Sequence, residues 1–354
     1  MKRVSVFLMR RAVAGAFTIV VMLTVAFMCV WLTPAQPARF IYPYAQVLTP
    51  YTVKHANHLL GADRPKLEQW AHYVTHVPRG DFGNAWDGAQ ISASQTLVEQ
   101  PVAPVVYPAF RATLSLLLGG AALVLLLAIP LGAFAGTRIG TLSDRTVSLV
   151  ALIGVCTHPM VIGILVRALF ANRLHWVPPT GYCPLTGARP GQCGGPVDWA
   201  DHLALPWLTF ALLFLALYVR MIRASVAETL HHDYVRTARA KGASELRVVA
   251  VHVLPNAGLR VLTMIGMEIG TAIGVCIYIE AAFGLPGLAS LAAFEMGGNT
   301  PALDLPTILA VVFLISVIVV VGNLIVDLLY ALADPRTVVA RRGPTAKAAA
   351  GGVI

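Results

Sequence analysis

The stretch Asp233-Tyr-Val-Arg-Thr-Ala-Arg-Ala-Lys-Gly242, followed by Leu254-Pro255, lies between two strongly apolar segments. It carries more internal order than a connector needs. Asp233 is a favourable N-cap for a short helix over 234–241, and Gly242 suits the left-handed residue that ends one. Ser244 can cap a second short helix, which Pro255 is expected to interrupt before the next apolar run. Tyr234, Arg236, Thr237, Arg239 and Lys241 make the first helix polar and basic, while Ala238 and Ala240 keep it narrow. A solvated basic loop accounts for the charge alone. The doubly capped helix–Gly–helix design points further, to an element built to enter a groove.

The flanking composition says what kind of chain holds this loop. Hydrophobic residues make up 57% of the 354 residues and charged residues 12%, against about 45–50% and about 25% in soluble domains. This is an all-α, polytopic membrane protein. Six stretches reach the roughly 20 apolar residues that a bilayer demands: about 12–33, 110–136, 146–171, 203–222, 259–282 and 305–332. The first follows Lys2, Arg3, Arg10 and Arg11, which favours a cytoplasmic N-terminus. A cleaved signal peptide is the competing reading, but the apolar run is too long and lacks a good cleavage site. Six spans from an inside start put 137–145, 223–258 and the tail in the cytoplasm. That side, helix ends included, holds 17 of the 26 Lys and Arg, as the positive-inside rule expects. The net charge of +9 therefore needs no nucleic acid to explain it. The chain divides into an N-terminal tail and first span (1–33), an extracytoplasmic loop (34–108), a five-helix core (109–333) and a cytoplasmic tail (334–354).

The first outer loop reads as partly structured. Asp63 can cap a helix over about 64–77 with Leu67, Trp70, Ala71, Val74 and Val77 on one face, closed by Pro78 and the Gly80–Gly83 turn. His72 and His76 stand one turn apart on it, with His55 and His58 upstream. That spacing can bind a transition metal or haem iron, yet no further ligand type accompanies the four, and exposed interfacial histidines explain them as well. A second outer loop, 172–202, contains Cys183 and Cys193, for which a disulfide is expected on the oxidising side. Cys29, Cys156 and Cys276 fall in apolar spans as small hydrophobes.

Polar groups at membrane depth are costly and face a cavity or one another. Glu268, near the middle of the fifth span, and His158 and Arg167 in the third are of this kind. Lining a passage and bonding neighbouring helices are both open to them. Pro130 and Pro159 are expected to kink their helices.

The segment Asp233–Pro255 resembles the cytoplasmic loop of type I binding-protein-dependent ABC importers, whose pattern is E-A-A-x3-G-x9-I-x-L-P. Arg236-Thr237-Ala238 stands in the E-A-A place, Gly242 in that of the glycine, and Leu254-Pro255 at the end. His252 replaces the isoleucine. Arg-Thr-Ala with Ala-Lys-Gly is the form typical of peptide permeases. Leu60–Pro65, Gly80–Gly83, Trp176–Tyr182, Ile279–Phe283 with Pro286–Leu288, and Asp327–Leu332 with Asp334–Arg336 are similar, in order, to segments of the first permease subunit of dipeptide and oligopeptide importers.

The resemblance implies a type I ABC permease fold and a non-catalytic subunit moving short peptides across the inner membrane of a bacterium. A second homologous permease would complete the path, and two ATPase subunits, or one with two domains, would receive the loop. A separate binding protein would deliver cargo, and lipid would surround the assembly. ATP and Mg would be bound by the ATPases, since this chain has no phosphate-binding glycine loop and implies no cofactor of its own. Glu268, His158 and Glu280 are the candidates for the path. Haem, nickel chelates or another small solute are alternative cargoes. From a different class, an ion-coupled carrier or channel would use Glu268. An intramembrane enzyme lacks a visible nucleophile and base.

Overall fold

The computed structural model describes residues 2–32, 49–59, 62–91, 97–142, 146, 157–186, 193–297 and 304–333. In chain order the helices are α1 (Lys2–Leu32), α2 (Pro50–Leu59), α3 (Lys66–His76), α4 (Ala103–Thr137), α5 (Pro159–Val166), α6 (Pro196–Thr229), α7 (Asp233–Ala240), α8 (Glu245–Arg247), α9 (Leu254–Phe283), α10 (Leu288–Gly297) and α11 (Leu305–Ala333). Among the described residues five helical stretches are long and apolar enough to cross a membrane: Met9–Cys29, Ala103–Thr137, Pro196–Thr229, Glu245–Phe283 and Leu305–Ala333. They coincide with five of the six expected spans. Much of the expected third span lies outside the described residues. Its visible end is α5 followed by a π-helical stretch, Arg167–Arg173. Pro159 opens α5 at its first turn rather than kinking it, a position where the missing N–H costs nothing. Pro130 does lie inside α4.

The tightest packing is between α4 and α6, and its cause is visible in the sequence. Ala112, Leu116, Gly120, Val124, Ala128, Gly132 and Gly136 recur every fourth residue, and all seven are buried. Small residues on such a ridge let two helix backbones approach closely in lipid. A Cβ added at Gly132 would lie 2.7 Å from the Ile222 Cβ and 3.1 Å from the Val219 carbonyl oxygen. Along this seam residue numbers rise together on both helices, Gly120 against Phe210, Gly132 against Ile222 and Gly136 against Val226. The two helices therefore run parallel, which requires an odd number of crossings between them. Gly132→Ala is expected to lower stability by about 1–3 kcal/mol through overpacking. Thermal unfolding in detergent checks this; an unchanged Tm would contradict the seam.

A second core joins α1, α11 and the start of α4 to the segment between α1 and α4. Arg11 pairs with Asp327 at 3.1 Å, tying α1 to α11. Helix α3 begins later than Asp63 would have it: Pro65 holds the N-cap position, and Asp63 instead accepts a hydrogen bond from His58 Nδ1 at 2.8 Å. Its inward face is also rotated from the expected one. Leu67 and Ala71 are exposed, whereas Gln69 and Val77 are buried and Trp70 and Tyr73 are half-buried. Gln69 can face inward because its Nε2 donates to the carbonyls of Ala62 (3.1 Å) and Arg64 (2.8 Å). Trp70 Nε1 donates to Thr24 of α1 at 3.1 Å.

A β-hairpin that no sequence pattern announces follows, β1 (Asn84–Ile91) against β2 (Leu97–Pro101), antiparallel with Asn84 opposite Pro101 and Ile91 opposite Leu97. The Gly80–Gly83 turn roots it, since Phe82 packs against Tyr107 of α4 and Phe313 of α11.

Candidate functional site

The polar loop folds as expected in outline and differs in detail. Helix α7 runs from Asp233 to Ala240, with His232, not Asp233, in the N-cap position and no side-chain cap. Asp233 sits in the first turn, where a carboxylate complements the helix dipole. The far end is a complete Schellman motif. Gly242 has φ of +84°, its N–H donates to the Arg239 carbonyl (2.9 Å), and the Ala243 N–H donates to the Ala238 carbonyl (3.2 Å).

The helix is anchored on one side only. Val235 and Ala238 are buried against the bundle core, together with Val248, Val253 and Ala257. Tyr234, Arg236, Thr237, Arg239, Ala240 and Lys241 face outward. The hydroxyl of Tyr234 accepts from Asn256 Nδ2 at 2.8 Å, linking α7 to the start of α9. Arg239 is not a free surface charge: Nε and Nη2 meet Glu245 Oε1 and Oε2 at 2.8 and 3.0 Å, a fork that clamps α7 to α8 across Gly242. At the tip Leu246 is 82% exposed, a large apolar side chain next to Arg247 in a loop that also exposes the basic Arg236 and Lys241.

Pro255 does not interrupt the second helix. The backbone is helical from Glu245 to Phe283, passing through a π-helical stretch at Val248–Val253. The wider turn accommodates the proline, whose ring would otherwise crowd the carbonyl four residues back and whose missing N–H would break an α-helical bond. Leu254 packs on the core, and Pro255 occupies the first turn of α9. Beneath the loop Arg260 forms a fork with Glu228, one arm being Nη2 to Oε1 at 2.6 Å.

The three path candidates part company. Glu268 lines an apolar cavity of about 360 Å³ between α4, α6, α9 and α11, and is the one charged residue on its wall, beside Tyr218. His158 instead caps α5, its Nδ1 accepting from the Met160 N–H at 3.3 Å, with its ring edge-on to Tyr278. Glu280 is a correction to the expected path. It is 1% exposed and fully engaged. Oε1 accepts from the Thr113 hydroxyl (2.6 Å) and Oε2 from the Ser290 N–H (2.8 Å), while the Leu288 N–H donates to Thr113 (2.8 Å). This carboxylate fastens α4 and the N-terminus of α10 to the end of α9. Arg167 also works as a fastener, donating through Nη1 to the Ala282 carbonyl.

The histidines do not converge. His55 stacks on Tyr51, His58 pairs with Asp63, and the His72 and His76 rings stack 4.0 Å apart. No group of three or more metal-ligating residues occurs among the described residues. Burial, then the neighbouring His76, lowers the pKa of His72, so folding favours its neutral form. The stabilisation is present above the ordinary histidine range and is lost as pH falls through it. Amide-exchange protection over 66–76, measured against the intrinsic rate at each pH, is expected to fall on acidification towards pH ~5 and to do so less in His72→Gln. Equal acid sensitivity in both would refute this. Cys183 and Cys193 form the expected disulfide. Cys276 is buried, and Cys156 lies outside the described residues.

Comparison with known proteins agrees along most of the chain. Residues 128–339 match the family described as binding-protein-dependent transport system inner membrane component, and residues 4–117 match its N-terminal companion. A probable peptide ABC transporter permease protein, y4tP, of Sinorhizobium fredii is 32% identical over 94% of this chain and 99% of its own length. The dipeptide transport system permease protein DppB of Escherichia coli K12 is 33% identical over 93% of this chain and 98% of its own. The glutathione transport system permease protein GsiC of Salmonella typhi is 31% identical over 93% and 97%.

Proposed function

Because this chain belongs to the family of binding-protein-dependent transport system inner membrane components, we propose that it is the permease subunit of an ATP-driven importer of short peptides. The observation that carries the mechanism is the loop, fixed to the bundle through Val235, Ala238 and Val248 and presenting Leu246 amid basic residues on its other side. Such a surface suits a groove with an apolar floor and an acidic rim on an ATPase. Movement of that groove would pass through the Arg239–Glu245 clamp and α9 into the bundle. The energy enters as a bias between two arrangements, with ATP bound by the ATPase subunits in this reading.

A second permease would close the Glu268 cavity into a path, and an extracytoplasmic binding protein would deliver the peptide. Both termini and the 233–255 loop lie on the cytoplasmic side in this reading, supported by the Lys and Arg distribution. Peptide cargo is supported by the relatives, which include peptide, dipeptide and glutathione permeases. An ion-coupled carrier through Glu268 gains no support, because Glu268 is the only carboxylate among the described lining residues and its neighbours there, Tyr218 apart, are apolar.

Purification from native membranes in mild detergent tests the reading. An ATPase is expected to accompany the chain, and proteoliposomes of the complex should take up dipeptide with its binding protein only when ATP is supplied to the ATPase side. Uptake that persists without ATP, or a chain that never retains an ATPase, would overturn it.

A further inference from the structure

The segment leading into α6 holds a disulfide whose two sulfurs have unequal surroundings. Cys183 is fully buried, whereas Cys193 is exposed. His202, in the second turn of α6, places Nε2 at 3.6 Å from the Cys183 Sγ. Its Nδ1 stands 2.8 Å from the Asp198 carbonyl oxygen. A carbonyl oxygen only accepts, so Nδ1 keeps its proton in either charge state of the ring. Nε2 is therefore the nitrogen that gains and loses a proton, and it faces the buried sulfur. The frame around the bond has its own hydrogen bonds, from the Gly194 N–H to Asp198 Oδ2 (3.0 Å) and from the Gly195 N–H to the Pro184 carbonyl (3.1 Å). The other titratable groups flanking the pair are Asp198 and Asp201 on α6 and Tyr182 beside Cys183.

We propose that this disulfide is a thiol-exchange site, in which a low-molecular-weight thiol attacks Cys193 and His202 assists the departure of Cys183. Attack is directed to Cys193 because that residue is exposed and Cys183 is buried. The thiolate's electron pair forms a bond to the Cys193 sulfur, and the pair of the old S–S bond leaves with Cys183. The proton on Nε2 stabilises the new Cys183 thiolate or passes to it. Leaving sulfurs of low pKa depart faster, and an adjacent imidazolium lowers a thiol pKa. The step reverses without any oxidant when the Cys183 thiolate attacks the Cys193 sulfur and expels the small thiol. The bond is thus open to exchange yet self-closing, with Cys183 held in place to reseal it.

The test uses the full-length protein in detergent micelles with reduced glutathione as the probe. Acid quenching followed by peptide mass analysis locates the glutathione adduct, and the reduction rate is measured from pH 8 to 5.5 and divided by the thiolate fraction of glutathione. The adduct is expected on Cys193. The normalised rate constant should rise about tenfold from pH 8 to 5.5 and stay flat in His202→Gln. An adduct on Cys183, or a flat wild-type profile, would overturn the proposal. Should the variant fail to form the disulfide, the adduct position and the wild-type profile decide alone.

Discussion

Gly287→Ala is expected to give one of the largest losses of stability of any single methyl added at a described glycine. The new Cβ would lie 2.1 Å from the Glu280 carboxyl carbon and Oε1, and 2.4 Å from Oε2. The carboxylate cannot retreat without surrendering the Thr113 hydroxyl and the Ser290 N–H. Overpacking costs about 1–3 kcal/mol and each orphaned buried donor adds about 1–3 kcal/mol. Glu280→Gln probes the same knot without adding volume. Both carboxylate oxygens are acceptors, so the amide NH2 must face either the Ser290 N–H, which cannot turn, or the Thr113 hydroxyl, which then loses its own acceptor. That variant should lose about 1–3 kcal/mol, and Glu280→Ala more. Thermal unfolding of the purified protein reads all three. Wild-type Tm in Gly287→Ala would mean that Glu280 does not occupy this pocket.

Gly242→Val should be the most damaging change in the loop, by a different route. Nothing lies within 4 Å of a Cβ built there, so space is not the issue. The cost is backbone: φ of +84° is left-handed, and a β-branched side chain there costs at least ~1–2 kcal/mol. Escape from it would dissolve the Schellman motif and swing α7 away from α8. We expect uptake by the assembled transporter to fall roughly 5- to 30-fold, with the chain still inserted in the membrane. Gly242→Asn should keep most activity, since Asn tolerates the left-handed region. Equal activity in the Val and Asn variants would refute a conformational role for this glycine. Arg239→Glu tests the neighbouring clamp by setting like charges together, and the exchange Arg239→Glu with Glu245→Arg should restore coupling.

The spans and the loop were legible because both rest on local information. Twenty apolar residues in a row, or a glycine closing a short helix, declare themselves without knowledge of the rest of the chain. What escaped depends on distant partners. Glu280 looks like a path residue until Thr113, 167 positions earlier, is seen beside it. Gln69 faces inward against its polarity because two carbonyls await it. His158 resembled a buried ionisable group at membrane depth, but the sequence could not say that α5 begins there and takes its ring as a cap. The hairpin was hidden because its pairing, Asn84 with Pro101, has no alternating apolar pattern to announce it.

The π-helical stretch at Val248–Val253 sets the phase between the loop and the span. Val248 and Val253 are both fully buried, although an α-helix would point residues five apart about 140° away from each other. The wider turn brings them onto one side. It thereby acts as a phase shifter, letting the loop be seated by Val248 and the span by Val253 and Ala257 without either dictating the other's rotation. A helical wheel drawn straight through from Glu245 would assign the wrong face to every residue beyond Val253, Glu268 included.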